Sequence, residues 1–218
     1  MESSRSIVSI LAASESSQAR KYAAVEHFAA RHSAYVREAN RLFPESGRRT
    51  WLDIGSGPLF TLASARAAGY FPVGIDHPDC PKAYKDVAKE LDIDCHYVEV
   101  SESTHPSATL FRGLGYPDEY SVISAISTEF DRNTRDNRTW TRPEWSRFLA
   151  SLSSMLTPGG GLVLKPNRHQ GYENQFRDHR GYDSRIWDAF EHHSHVFRKR
   201  VFFIKRDEIP PLIAELMR

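Results

Sequence analysis

The chain has 218 residues, 40% of them hydrophobic and 26% charged, which is enough for one domain with a sizeable core and too few for two full domains. Its formal net charge of +1 excludes a general electrostatic attraction to nucleic acid or to an anionic membrane. The sequence contains no long apolar run and no secretory pattern behind Met1-Glu2-Ser3-Ser4-Arg5, so a soluble, cytoplasmic protein is expected. Cys80 and Cys95 lie in different predicted elements without C-x-x-C spacing, which speaks against a zinc knot or a thioredoxin-like centre. Cys80 has no basic partner beside it and reads as an ordinary thiol rather than a nucleophile.

In chain order, Ser14 to Asn40 sets Tyr22, Val25, Phe28 and Ala29 at helical spacing and predicts one or two amphipathic helices. These would form a helical cap over residues 1–48, ahead of the main unit at 49–218. Phe43 to Arg49 is punctuation. WLDIGSGP, Trp51 to Pro58, reads as a buried strand that closes on an acid, Asp53, and enters a glycine turn. Gly55 and Gly57 there let a ligand approach the main chain. Leu59 to Ala68 predicts a crossover helix ended by Gly69, and Phe71 to Asp79 a second strand with an acid, Asp76, at its end. From that position a carboxylate accepts from both hydroxyls of a ribose.

Lys82 to Leu91 then predicts a helix, Cys95 to Val100 a third strand, and Ser101 to Asp118 a loop with a helical turn. Tyr120 to Ser127 is the fourth strand. Pro143 to Leu156 is the most regular later helix, with Thr141 or Arg142 near its start and a Pro158-Gly159 stop. A fifth strand runs to Asn167. Gln170 to Asp183 predicts a loop over the site, with Tyr172, Phe176, Tyr182 and Trp187 lining it or packing on the sheet. Only His195 to Arg206 reads as a further strand, before a helix at Asp207 to Met217.

Strands alternating with helices imply a parallel sheet with right-handed crossovers and helices on both faces. Ligands in such sheets bind outside the carboxyl ends of the strands. That rule collects Asp53, Asp76, Ser101-Glu102 and Ser127-Thr128-Glu129 at one rim.

Asp53-Ile54-Gly55-Ser56-Gly57, the acid Asp76, the strand Tyr120 to Ser127 and the helix, Pro-Gly-Gly turn and strand of Met155 to Asn167 resemble the class I methyltransferases that use S-adenosylmethionine. The resemblance covers Arg49 to Asn167. It implies an α/β three-layer sandwich with a mostly parallel central sheet, a Rossmann-like methyltransferase fold carrying an N-terminal helical cap. It also implies S-adenosylmethionine as cofactor and S-adenosylhomocysteine as product, held by Asp53, Gly55, Ser56, Gly57 and Asp76. The turn after the third strand, Glu102 with Glu99 as a substitute, would meet the adenine. Ile126 and Ser127 would lie by the methionine part. Leu59 stands where members of the family often carry a third glycine, and the sheet is expected to be one strand short of the usual terminal hairpin. The rival fingerprint G-x-G-x-x-G of dinucleotide enzymes would put Phe60 where a small residue packs helix on strand.

Methyl transfer from a sulfonium needs the acceptor held in line, water excluded and, for a hydroxyl acceptor, a proton removed. His169, beyond the fifth strand, and Glu129, beyond the fourth, are the candidate bases; a solvated loop histidine and a cofactor hydrogen bond are their bland readings. His179, His192, His193 and His195 lack metal-ligand spacing, since neighbours on a helix point apart, so no metal is expected. Asp131, Asn133 and Asn167 do not reproduce the Asp-Asn pattern of metal-assisted relatives.

Ser127-Thr128-Glu129-Phe130 carries neither the motif of enzymes methylating the amines of bases nor a Pro-Cys nucleophile, so DNA is not expected and RNA is disfavoured. The basic bias from Lys165 to Arg206 would suit an anionic metabolite, or it is a solvated strand face. The reading is a small-molecule methyltransferase, O- rather than N-directed, acting on a sugar or secondary metabolite as a monomer or homodimer. A non-catalytic methyltransferase-like binding protein and a dinucleotide-dependent oxidoreductase stay open beside it.

Overall fold

The computed structural model describes residues 2–23, 27–44, 49–100, 108–113, 115–128, 140–166, 184–198 and 201–218. Three helices come first, α1 (Glu2–Ala12), α2 (Ser17–Ala23) and α3 (His27–Leu42). Then β1 (Thr50–Ile54), α4 (Phe60–Ala67), β2 (Phe71–Asp76), α5 (Lys82–Glu90), β3 (Asp94–Tyr97), α6 (Ala108–Gly113) and β4 (Tyr120–Thr128) alternate. They are followed by α7 (Arg142–Ser154), β5 (Leu156–Pro166), α8 (Ser184–His192), β6 (His195–Phe197), β7 (Val201–Lys205) and α9 (Ile209–Leu216).

The strands form one seven-stranded sheet in the order β3-β2-β1-β4-β5-β7-β6. β1 to β5 run parallel, while β7 is antiparallel to β5 and β6 antiparallel to β7. Burial on both faces explains why β1 and β4 read as near-continuous apolar runs. Alternation sorts their side chains. Leu52, Ile54, Ile123 and Ala125 face a cluster built by Trp145, Phe148, Phe190 and Leu212 of α7, α8 and α9. Trp51 and Val122 face the other cluster, with Ile7 and Leu11 of α1, Tyr35 and Val36 of α3, and Leu62 and Ala65 of α4. Asp53 and Ser124 fall on this second face, between the sheet and the early helices.

Several expectations change. Ser14 to Asn40 holds two helices as expected, α2 and α3, and a further helix, α1, precedes them. The Pro158-Gly159 stop does not precede the fifth strand but lies inside β5. There the register jumps from Tyr120 opposite Leu156 to Val122 opposite Gly161, with Gly159 at φ 83°. A bulge absorbs the extra residues. The sheet is not short of a strand, because His195 to Arg206 is two strands rather than one, and the chain turns at Arg198, φ 53°. Trp187 is 8% exposed and meets Phe202 edge-on at 4.9 Å, so it packs on the sheet. α7 begins as its sequence promises, the Thr141 N–H donating to the Glu144 carboxylate at 2.5 Å in a capping box. Among the described residues no helix is long and apolar enough to cross a membrane.

Candidate functional site

β1 ends at the glycine loop, and two hydrogen bonds tie that loop to β2. The N–H groups of Gly55 and Ser56 both donate to the Ile75 carbonyl, at 2.8 and 2.9 Å. Asp76 completes the tie, one carboxylate oxygen accepting from the Gly57 N–H at 2.9 Å and the other from the His77 N–H at 2.8 Å. Each oxygen keeps a second lone pair. Burial holds the Asp76 pKa above the usual carboxylate range against those two donors.

Gly55 sits at φ 69°, and a Cβ there would lie 2.7 Å from Thr128 Oγ1. Thr128 in turn donates to the Ile54 carbonyl at 3.0 Å, so the end of β4 closes on the loop. Leu59, the departure from the family pattern, adopts φ 61° and ψ 19° at the N-cap of α4, the left-handed conformation a glycine would take without strain. The turn thus carries a left-handed residue as a leucine that is 1% exposed.

Asp53 is placed differently from the two-acid frame expected around the pocket. It is 2% exposed and lies opposite Ser124 in the register of β1 and β4. The Ser124 hydroxyl donates to Asp53 Oδ1 at 2.5 Å, and the indole N–H of Trp51 donates to the Ser124 oxygen at 2.7 Å. Thr61, in the first turn of α4, lies on the same side and favours the charged carboxylate, against the larger effect of burial. The Thr61 hydroxyl is hydrogen-bonded to Nδ1 of His32 on α3, 2.7 Å away.

Trp51, Ser124, Asp53, Thr61 and His32 thus come together from four elements, β1, β4, α4 and α3, beneath the glycine loop. Burial raises Asp53 to about 7. Burial, then the charges of Lys165 and Arg31, lower His32 to about 3. Near neutral pH the imidazole is therefore uncharged, and the carboxyl sits at its titration point. Phe60 and Tyr35 flank the His32 ring at 6.0 and 5.6 Å.

Of the residues selected from sequence, Gly55, Ser56, Gly57 and Asp76 come together at the loop, and Asp53 lies directly below. Ile126 is 7% exposed and packs in the apolar cluster on the α3 and α4 side. Ser127 belongs to β4. Glu102, Glu129 and His169 lie outside the described residues, as do Asp131, Asn133, Asn167 and His179. Glu99 is described, just beyond β3.

His32, Thr61 and Ser124 were not selected. Ser124 was visible as a polar residue inside an apolar strand, whereas nothing in the spacing of His32 distinguishes it from a solvated helical histidine. The thiols are inert by environment, since burial pushes Cys80 up to about 11 and Cys95 up to about 12.

A parallel five-strand half closed by an antiparallel hairpin, with a glycine loop after the first strand, is the Rossmann-like α/β arrangement that the resemblance implies. No protein-family model matches the sequence, and no curated protein matches it. Among solved structures, a S-adenosylmethionine-dependent methyltransferase from Clostridium acetobutylicum is similar at a TM-score of 0.47 and 11% identity, over 71% of this chain and 56% of that one. DesVI of Streptomyces venezuelae is similar at 0.46 and 19%, over 65% and 51%. An O-methyltransferase family 2 protein from Planctomyces limnophilus, in complex with apigenin, gives 0.45 and 18%, over 76% and 42%. The chain thus spans about half the length of these structures.

Proposed function

We propose that the chain is a S-adenosylmethionine-dependent methyltransferase that acts on a small molecule, with oxygen rather than nitrogen as the acceptor and a sugar or secondary metabolite as the substrate class. The observation that carries this reading is the clasp of Asp76 on the Gly57 N–H. It sets an acid with spare lone pairs at the end of β2, beside a loop whose glycines leave room for a nucleoside. Asp76 would hold the ribose, and the backbone of Gly55 to Gly57 would face the amino-acid part. Ile126 and Ser127 would flank the methionine part, and Glu102 the adenine. When bound, the cofactor supplies an activated sulfonium methyl group.

The chain's own work is then to orient the acceptor and exclude water. His169 and Glu129, beyond β5 and β4, are proposed as the groups that take the acceptor's proton. Asp53 is proposed to act from below, by positioning the loop and α4 through Ser124 and Thr61, because its carboxylate already has partners inside the protein.

Isothermal titration of the full chain with S-adenosylhomocysteine, with NAD in parallel, tests the proposal. Micromolar binding of the first ligand alone is expected. Binding of NAD alone would overturn the reading in favour of an oxidoreductase. Binding of S-adenosylhomocysteine without turnover of any sugar or phenolic acceptor would favour a non-catalytic binding protein.

A further inference from the structure

The histidine cluster set aside on spacing converges in three dimensions. α8 ends at His192, and His193 follows at its end with its N–H bonded to the Ala189 carbonyl at 3.1 Å, yet the two side chains come together. Their rings stack at 4.6 Å. One oxygen, Oε2 of Glu215 on α9, lies 2.9 Å from His192 Nδ1 and 3.0 Å from His193 Nε2. The three ligand atoms all fall within 4.8 Å of one another. Nδ1 of His193 faces a second carboxylate, Glu208 Oε2, at 3.3 Å.

We propose that His192, His193 and Glu215 form a binding site for a divalent transition-metal ion, Zn²⁺ being the best fit, with Glu208 orienting His193 from behind. Two imidazole nitrogens and a carboxylate oxygen are the donor set that such ions take. In a tetrahedral zinc site the ligand atoms stand about 3.3 Å apart; the two distances to Glu215 open to that value by a few tenths of an ångström, and rotation of the exposed His192 ring sets the distance between the two imidazole nitrogens. The carboxylate behind a ligating histidine is the usual device for fixing its tautomer. Here it makes His193 donate from Nδ1 and offer the Nε2 lone pair to the metal. Three protein ligands leave a fourth position for water.

The cluster borders a cavity of about 230 Å³ that also meets Ser194, Phe43 and Lys205. The Ser194 hydroxyl is buried and has no hydrogen-bond partner among the described residues, which gives that cavity a further polar group beside the site. The place is far from the glycine loop. β7 runs antiparallel to β5, so Lys205 pairs with Gly161, at the end of the sheet opposite to Lys165. A metal there clips the end of α8 to α9 across the β6–β7 hairpin and is structural in effect. It takes no part in the proposed methyl transfer.

Titration of the metal-free full chain with ZnCl₂, and with CoCl₂ followed by visible absorption, tests the site, with MgCl₂ as control. One equivalent of Zn²⁺ should bind and raise the thermal midpoint, Co²⁺ should show the intense absorption of a tetrahedral centre, and Mg²⁺ should do neither. Glu215→Gln and His192→Gln, each checked for folding by circular dichroism, should each weaken Zn²⁺ at least tenfold, and Glu208→Gln about 10- to 100-fold. Absence of Zn²⁺ binding by the folded wild type, or binding unchanged in both Glu215→Gln and His192→Gln, would overturn the assignment. Neither result bears on S-adenosylhomocysteine binding, which is measured separately.

Discussion

Asp53 and His32 make opposite demands on pH, and the structure predicts that they cancel. His32 is lowered from 6.5 to about 3 by burial first. Its neutral form is the folded one, so its contribution to stability is present above 6.5 and is lost as pH falls towards 3. Asp53 is raised from 3.8 to about 7, again by burial first. Its contribution is present below 3.8 and is lost as pH rises through 7.

Between 3.8 and 6.5 the unfolded chain carries the proton on His32 and the folded chain carries it on Asp53. The numbers of bound protons match, and the pair adds no slope to stability against pH. Removing one member unmasks the other at about 1.4 kcal/mol per pH unit. In Asp53→Asn, stability relative to wild type should rise by about 3 kcal/mol from pH 4.5 to 6.5. In His32→Asn it should fall by a similar amount, because Asp53 then titrates alone. Urea unfolding of the three proteins at half-unit intervals, read as differences from wild type, measures this, since all other titrating groups drop out. Difference curves that are flat for both variants, or slopes of the same sign, would refute the assigned proton positions.

Asp76→Ala should weaken S-adenosylhomocysteine about 10- to 100-fold, the loss of one or two charge-assisted hydrogen bonds; unchanged affinity in the titration would remove Asp76 from the ribose role. Leu59→Gly relieves about 1 kcal/mol of left-handed strain but forfeits about 2–3 kcal/mol of side-chain burial. A net destabilisation of about 1–2 kcal/mol by urea unfolding is therefore expected, and a gain in stability would show that the loop strain outweighs the packing. Against an ordinary thiol value of 9.0, Cys80 at about 11 and Cys95 at about 12 should react with a thiol reagent about 100-fold and about 1000-fold more slowly in the native than in the unfolded chain at neutral pH, as thiolate fraction sets the rate. Equal rates in the two states would contradict the environment assigned to them.

Sequence by itself determined the elements whose signal is local. The run Trp51 to Gly57 shows a strand, an acid and two glycines because the turn takes positive φ at Gly55 and Gly57, and that demand is written at the position itself. Asp76 is legible in the same local way, at a fixed distance down the chain. The parallel half of the sheet followed from alternating strands and helices, and the start of α7 from Thr141 and Pro143.

What only the tertiary structure decided depends on partners remote in sequence. Leu59 looked like a loss until its φ showed that burial holds a leucine in a glycine's conformation. Asp53 looked like a rim residue, but the register of β1 on β4 sets it opposite Ser124 and turns it toward α4. His32 meets Thr61 because α3 packs on α4, a contact between segments 29 residues apart that no spacing announces. His192 and His193 converge on Glu215 because the β6–β7 hairpin brings α9 back beside the end of α8. Local chemistry is carried by residue types in order, whereas the proton on Asp53 and the histidine pair are set by burial and long-range approach, which arise only when the sheet closes its core.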